Sequence, residues 1–244
     1  MKAYIIIAKL KYSDPLIWRR VIMPAGATFN RLHEVIQTVT NFQSGNPNGD
    51  YHLYAFELRQ EDIMVTNDEE AYQEHLDFKK NRKSYEERMK AMPSEQAVFE
   101  KAYQERLQTE VRKPTGLKID NYLEKHNEIP YRYDFGDGWE FSISLEDIVE
   151  DYYFGYPTLL DGAETAPPED VGGIIGFYEF LEAYRDKEHP DHETMKIWAD
   201  SQRFREYDPE WINDRLKDIA YKKTEWNKIN HHRYMIVEDK YRKI

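Results

Sequence analysis

Residues 131–146 read Y-R-Y-D-F-G-D-G-W-E-F-S-I-S-L-E, and this stretch decides the fold class. Tyr131, Tyr133 and Phe135 precede a Gly-Asp-Gly turn, while Trp139, Phe141, Ile143 and Leu145 follow it at the same parity. Arg132, Asp134, Glu140, Ser142, Ser144 and Glu146 occupy the alternate positions. Apolar–polar alternation on both sides of a turn specifies a β-hairpin with one buried face. A two-residue loop at Asp137-Gly138 would set Phe135 against Glu140, an apolar side chain on the polar face. A three-residue loop, Gly136 to Gly138, pairs Phe135 with Trp139, Tyr133 with Phe141 and Tyr131 with Ile143, with Gly138 left-handed. That is the expected register. It sets Asp134 opposite Glu140, a like-charge pair that needs solvent, an arginine or a ligand to compensate it.

Outward from the hairpin, Ala3–Leu10 is apolar on both faces and reads as a central strand, and residues 17–23 as a second strand carrying Trp18, Arg19 and Arg20. Thr28 is a candidate N-cap for a helix bearing Phe29, Leu32, Ile36 and Val39 at helical spacing. His33, on the flank of that stripe, is expected at the surface or rim. Residues 51–58 form a third strand, with 63–65 as its hairpin partner. The order strand, strand, helix, strand suggests a β-grasp-like core. Residues 68–112 contain no glycine, and Pro93-Ser94 splits them. They read as an inserted helical hairpin arm, Ser94 capping a second helix with an apolar stripe of Val98, Phe99, Ala102, Tyr103 and Leu107. Residues 152–162 read as an aromatic, turn-rich loop. Pro167 to Gly173 cannot continue a helix or central strand and leads into a helix carrying Ile174, Phe177, Tyr178, Leu181 and Tyr184. Helices at 190–199 and from Asp208-Pro209-Glu210 follow.

The expected architecture is α+β: a mostly antiparallel sheet with packed helices, the inserted arm, and a helical C-terminal part. Residues 1–220 form one domain and 221–244 a basic tail. That tail carries seven lysines and arginines against three acidic residues, a net of +4, within a chain of net charge −12. An acidic body argues against a nucleic-acid footprint over the whole surface, but the basic tail is expected to contact phosphates or to dock on the body itself. Of the 244 residues none is cysteine, which excludes disulfides, thiolate metal sites and a cysteine nucleophile. Residues 3–8 are too short an apolar run for a signal peptide or membrane span, so a cytoplasmic protein without membrane contact is expected.

No nucleophile elbow, phosphate-loop lysine motif or His-Glu-x-x-His occurs. Gly172-Gly173 with Gly176 lacks the preceding strand of a dinucleotide site, and His189, His192 and Glu193 are a weak metal pattern. Asp134, Asp137, Glu140, Glu169 and Asp170 supply oxygen donors for a divalent cation or a basic partner. No residue is assigned as catalytic or cofactor-binding, and no cofactor is expected.

Five ordered blocks carry a family resemblance: Asp14 to Val21, Leu32 to Gln37, Tyr133 to Trp139, Leu145-Glu146, and Pro167 to Asp170 with Gly172-Gly173 and Gly176-Phe177. In these the chain resembles the plasmid pRiA open-reading-frame-three family, whose members include insertion-element passenger proteins labelled TnpR. The resemblance spans roughly residues 1–65 and 128–217 and implies an α+β fold with largely uncharacterised members. The chain lacks a serine-recombinase-like nucleophile with its arginine set. Where the family pattern often carries a histidine two residues after the hairpin tryptophan and cysteines further on, this chain has Phe141, Leu159, Ala166 and Val171. A small hydrophobic cluster in place of a zinc set is the expectation there.

The family blocks place a candidate cluster at Trp18, Arg19, Arg20, His33, Asp134, Asp137, Trp139, Glu140, Glu169 and Asp170. The arginines are expected to neutralise the hairpin and loop carboxylates. Three functions follow in order of preference: a non-enzymatic binding or scaffold module contacting a protein partner through residues 68–112 or 152–160; a nucleic-acid-binding accessory of a mobile element, acting through the tail; and an enzyme using the carboxylates.

Overall fold

The apolar opening strand, β1 (Ala3–Leu10), is buried on both faces because the two sides of one sheet cover different things. Tyr4, Ile6, Ala8 and Leu10 enter the principal core. Ala3 and Ile5 point the other way into a second, smaller cluster with Ile22, Tyr152 and Leu160. A strand with apolar residues on both faces belongs at the centre of a sheet. A computed structural model of the chain describes residues 2–43, 52–91, 101, 103, 107–152 and 154–219.

The remaining strands are β2 (Trp18–Pro24), β3 (Tyr54–Leu58), β4 (Ile63–Thr66), β5 (Glu110–Arg112), β6 (Ile129–Tyr133), β7 (Trp139–Val149) and β8 (Thr158–Ala163). They form one eight-stranded sheet in the order β5-β4-β3-β6-β7-β1-β2-β8. Every pairing among them is antiparallel except β4 with β5 at one edge. A β-grasp core would need a parallel pair at the centre, so that expectation fails; the mostly antiparallel α+β class holds.

Among the described residues the principal helices number five, and all but the second gather on the principal-core face. They are α1 (Phe29–Val39), α2 (Glu69–Lys90), α3 (Gly173–Arg185), α4 (His192–Ser201) and α5 (Pro209–Leu216). Thr28 caps α1, its hydroxyl accepting from the Arg31 amide at 3.3 Å. Asp208 caps α5 through the Glu210 and Trp211 amides, both at 3.0 Å. Phe29, Leu32, Ile36, Phe177, Phe180, Ile212 and Leu216 join the strand residues in the core. Each buried side chain of this size stabilises the fold by about 1.5–3 kcal/mol. α2 stands outside that core, seated against β5 through Phe78 and His75.

Four expectations are corrected here. The central hairpin pairs Tyr133 with Trp139, Arg132 with Glu140 and Tyr131 with Phe141, so its loop runs over five residues, 134–138. The difference from the expected register is two residues, which keeps every side chain on its face; alternation alone cannot detect it. Asp134 turns left-handed at φ 47 and ends the strand early, leaving Phe135 exposed. Arg132 then lies opposite Glu140, and no like-charge pair forms. Residues 110–112 are an edge strand rather than part of a helical arm. Residues 158–163 are likewise a strand, and Tyr152, Tyr156, Leu159 and Leu160 are buried, so these side chains pack internally and do not form a partner surface. The Ser94 cap, Val98, Phe99 and Ala102, and the basic tail, lie outside the described residues. Phe141, Leu159 and Ala166 are buried in the principal core, with Val171 packed against it.

Candidate functional site

The early end of β6 builds the site. Asp134 is held by its own backbone: its amide donates to the Leu53 carbonyl at 3.0 Å and its carbonyl accepts from the Gly138 amide at 2.7 Å. Its carboxylate accepts from the Gly136 amide at 3.0 Å. Because Leu53 is the anchor, His52 is carried to the side of Asp134. From the opposite direction the proline-bounded loop 167–173 brings in Glu169 and Asp170, the latter left-handed at φ 54. That loop is tied to the hairpin tip by the Gly172 amide, which donates to the Asp137 carboxylate at 3.1 Å.

His52 is the centre of the arrangement. Its Nδ1 is 3.5 Å from Asp134 Oδ1, and its Nε2 is 3.8 Å from Glu169 Oε2 and 3.9 Å from Asp170 Oδ1. One donor atom each from His52, Asp134 and Glu169 lies within 4.8 Å of the other two. Glu169 is buried, 7% exposed. Its Oε1 accepts from the Tyr133 hydroxyl at 2.6 Å and the Gln43 amide at 2.5 Å. Its Oε2, equally buried, accepts no hydrogen bond among the described residues. Burial raises the Glu169 pKa above the usual carboxylate value, against the opposing pull of the Tyr133 and Gln43 hydrogen bonds.

Beside this cluster opens a cleft of about 810 Å³, and His52 and Gln43 line both. One wall is α1, where His33 stacks on Tyr54 with ring centroids 3.7 Å apart and hydrogen-bonds Tyr131 at 2.8 Å. Burial pushes the His33 pKa down to about 3, so it is neutral at neutral pH. The other wall carries Arg203, Arg205 and Arg215. Asn41 clamps the Arg205 backbone from both sides, donating to its carbonyl at 2.9 Å and accepting from its amide at 3.2 Å. The Arg205 guanidinium lies 4.7 Å from the Trp211 ring centre.

Of the ten residues marked in the sequence, Asp134, Glu169 and Asp170 gather round His52, while Asp137 ties the hairpin tip to the loop through the Gly172 amide. The arginines do not join them. Successive strand residues face opposite sides of a sheet, so Arg19 and Arg20 separate. Arg19 donates to the carbonyls of Val39, Trp18, Ala163 and Glu164 at 2.7–2.8 Å. Arg20 pairs with Glu146 on the other face at 2.5 Å. Trp18 contributes its carbonyl to the Arg19 network, Glu140 lies opposite Arg132, and Trp139 is a core residue packed on Phe42. His33 is buried rather than at the rim, and lines the cleft. His52 and Gln43 carried no sequence signal: one precedes a strand, the other follows a helix, and only the fold aims them at Glu169.

A family model described as "Plasmid pRiA4b ORF-3-like protein" matches residues 2–216. The chain is 30% identical over 218 residues to "Uncharacterized protein y4hQ" of Sinorhizobium fredii, covering 87% of this chain and 90% of that protein. Among solved structures it is similar to the protein of unknown function MM3350 from Methanosarcina mazei Go1. That likeness has a TM-score of 0.58 at 26% identity and covers 90% of this chain and 98% of the other. No helix among the described residues is long and apolar enough to cross a membrane.

Proposed function

The chain belongs to the plasmid pRiA4b ORF-3-like family, and from that premise we propose that it is a non-enzymatic binding module that takes a small anionic ligand in the cleft beside α1. The observation that carries this is the arginine wall. In a chain of net charge −12, the cleft is lined by Arg203, Arg205 and Arg215 against one carboxylate among the described residues, Glu34, with amides from Asn30, Gln37, Asn41, Gln43 and Asn67 between them. A concave surface of one charge sign concentrates ligands of the other, and arginine forks match carboxylate and phosphate oxygens. The wall is also pre-set. Asn41 clamps the Arg205 backbone, and Gln43 Nε2 donates to the Gln202 carbonyl at 2.8 Å, so little ordering cost remains on binding.

The binding reading is preferred to a carboxylate-dependent enzyme because the cleft lining includes neither Asp134 nor Glu169. Those carboxylates meet the cleft only through His52, which lines both. The test is calorimetric titration of the full chain with inorganic phosphate and with succinate at low salt. Saturable binding that Arg203→Glu/Arg205→Glu abolishes supports the reading; no saturable heat with either anion refutes it.

A further inference from the structure

The His52, Asp134 and Glu169 cluster adjoins the cleft, and His52 lines both. We propose that these three side chains hold a divalent first-row transition ion, with Glu169 Oε2, an Asp134 oxygen and a His52 ring nitrogen as its protein ligands.

The first ground is an oxygen with nothing to do. Glu169 is 7% exposed, and its Oε2 is buried without a hydrogen-bond donor among the described residues, while Oε1 has two. An unsatisfied buried polar atom costs about 1–3 kcal/mol, more when charged, and a bound cation is one of the few things that removes the cost. Oε2 faces His52 Nε2 at 3.8 Å.

The second ground is spacing. A ring N–H of His52 paired directly with a carboxylate would sit about 2.7–2.9 Å from its oxygen. Nδ1 is instead 3.5 Å from Asp134, and Nε2 is 3.8 and 3.9 Å from Glu169 and Asp170, all too far for a charge-assisted hydrogen bond; one ring nitrogen, not both, would serve as the ligand. Ligand bonds of about 2.0–2.2 Å place donor atoms roughly 3–4.4 Å apart. The three donors here lie within 4.8 Å of one another, so side-chain rotations of about an ångström close the shell round one ion.

The third ground is support behind the ligands. Metal-binding carboxylates are normally held by outer hydrogen bonds. The Tyr133 hydroxyl and Gln43 amide hold Glu169, and the Gly136 amide holds Asp134. Mixed imidazole and carboxylate donors without sulfur select zinc, iron or manganese over softer ions. Asp170 stands next to the site as a half-exposed carboxylate, leaving positions for water on that side.

The experiment uses the full chain stripped with a chelator, then titrated with Mn²⁺ followed by electron paramagnetic resonance and with Zn²⁺ followed by calorimetry. The expected result is one Mn²⁺ per chain with nitrogen hyperfine coupling from a single imidazole. Glu169→Gln, which keeps an Oε1 acceptor for Tyr133 and Gln43, weakens binding at least tenfold, in line with the 10–100-fold typical of damaged sites. His52→Ala removes the nitrogen coupling. Arg203→Glu/Arg205→Glu leaves the ion bound, which separates this proposal from the anion cleft. Absence of saturable binding of either ion to the natural chain overturns the proposal. So does an affinity that Glu169→Gln and His52→Ala leave unchanged, since the ion would then sit elsewhere.

Discussion

Gly173 rests directly on the main-chain carbonyl of Asp137: a Cβ at residue 173 would stand 2.7 Å from that oxygen. Residue 173 is also left-handed, at φ 71. This contact, with the Gly172-to-Asp137 hydrogen bond, is what docks the loop bearing Glu169 onto the tip of the central hairpin. Gly173→Ala therefore meets both a strained backbone, costing about 1–3 kcal/mol, and a clash with main chain that cannot rotate away. The expected outcome is a loss of stability of at least that size in chemical denaturation, together with weakened Mn²⁺ binding as Glu169 withdraws from Asp134. A variant with the stability loss and an unchanged ion affinity would show that the loop does not set the site.

His33 gives the pH dependence. Unfolded, it protonates near its ordinary 6.5; folded, burial lowers that to about 3. Between these values the unfolded chain binds the extra proton, so stability falls as pH falls through the window and is fully retained above it. The slope from one such group is about 1.4 kcal/mol per pH unit. His33→Gln, with an amide to meet Tyr131 and no titration, removes this contribution. Denaturant unfolding at several pH values between about 6 and 4 measures the difference in slope between the two chains; parallel curves would refute a buried neutral His33.

Arg19 is a structural cation. Its guanidinium satisfies the carbonyls of Val39, Trp18, Ala163 and Glu164 and lies 4.3 Å from the Tyr207 ring centre. Burial lowers its pKa to about 10, so it remains charged at neutral pH. Arg19→Met takes the donor from the buried Val39 carbonyl and from three part-buried ones, at about 1–3 kcal/mol for each group kept from water, and a loss of about 3 kcal/mol is expected. Arg19→Lys, a point charge without the planar fork, recovers only part of it. A thermal melt of the two variants checks the order.

The sequence carried the fold through parity and punctuation. Ile5-Ile6-Ile7 announced a strand covered on both sides, and Thr28 and Asp208 announced helix starts, because these signals are local. The hairpin register escaped by two residues, since such a shift leaves every face unchanged. β5 escaped because three residues, Glu110 to Arg112, carry too little pattern to mark an edge strand. At the site, the meeting of Asp134 with Glu169 and Asp170 was expected from the family blocks rather than from any local pattern. The expected arginine neutralisation does not form, because Arg19 and Arg20 face opposite sides of β2. His52 depends on the Leu53–Asp134 backbone bond, which links residues far apart in the chain and leaves no periodic trace.

The last prediction separates charge from pre-organisation in the cleft. Arg205 is exposed, so Arg205→Ala should cost little stability, within about 0.5 kcal/mol as for most surface changes, while removing one cation from the wall. Asn41 adds no charge, but its side-chain amide holds the carbonyls of Ala166 and Arg205 at 2.7 and 2.9 Å, and its oxygen holds the Arg205 amide at 3.2 Å. Asn41→Ala should cost about 1–3 kcal/mol and weaken succinate and phosphate binding without altering its dependence on salt. Arg205→Ala should instead flatten that dependence, because one fewer exposed charge is left to screen. Calorimetry of both variants across a salt series gives the answer. Equal salt slopes in natural chain and Arg205→Ala would remove Arg205 from the ligand, and an unchanged affinity in Asn41→Ala would mean the wall needs no clamp.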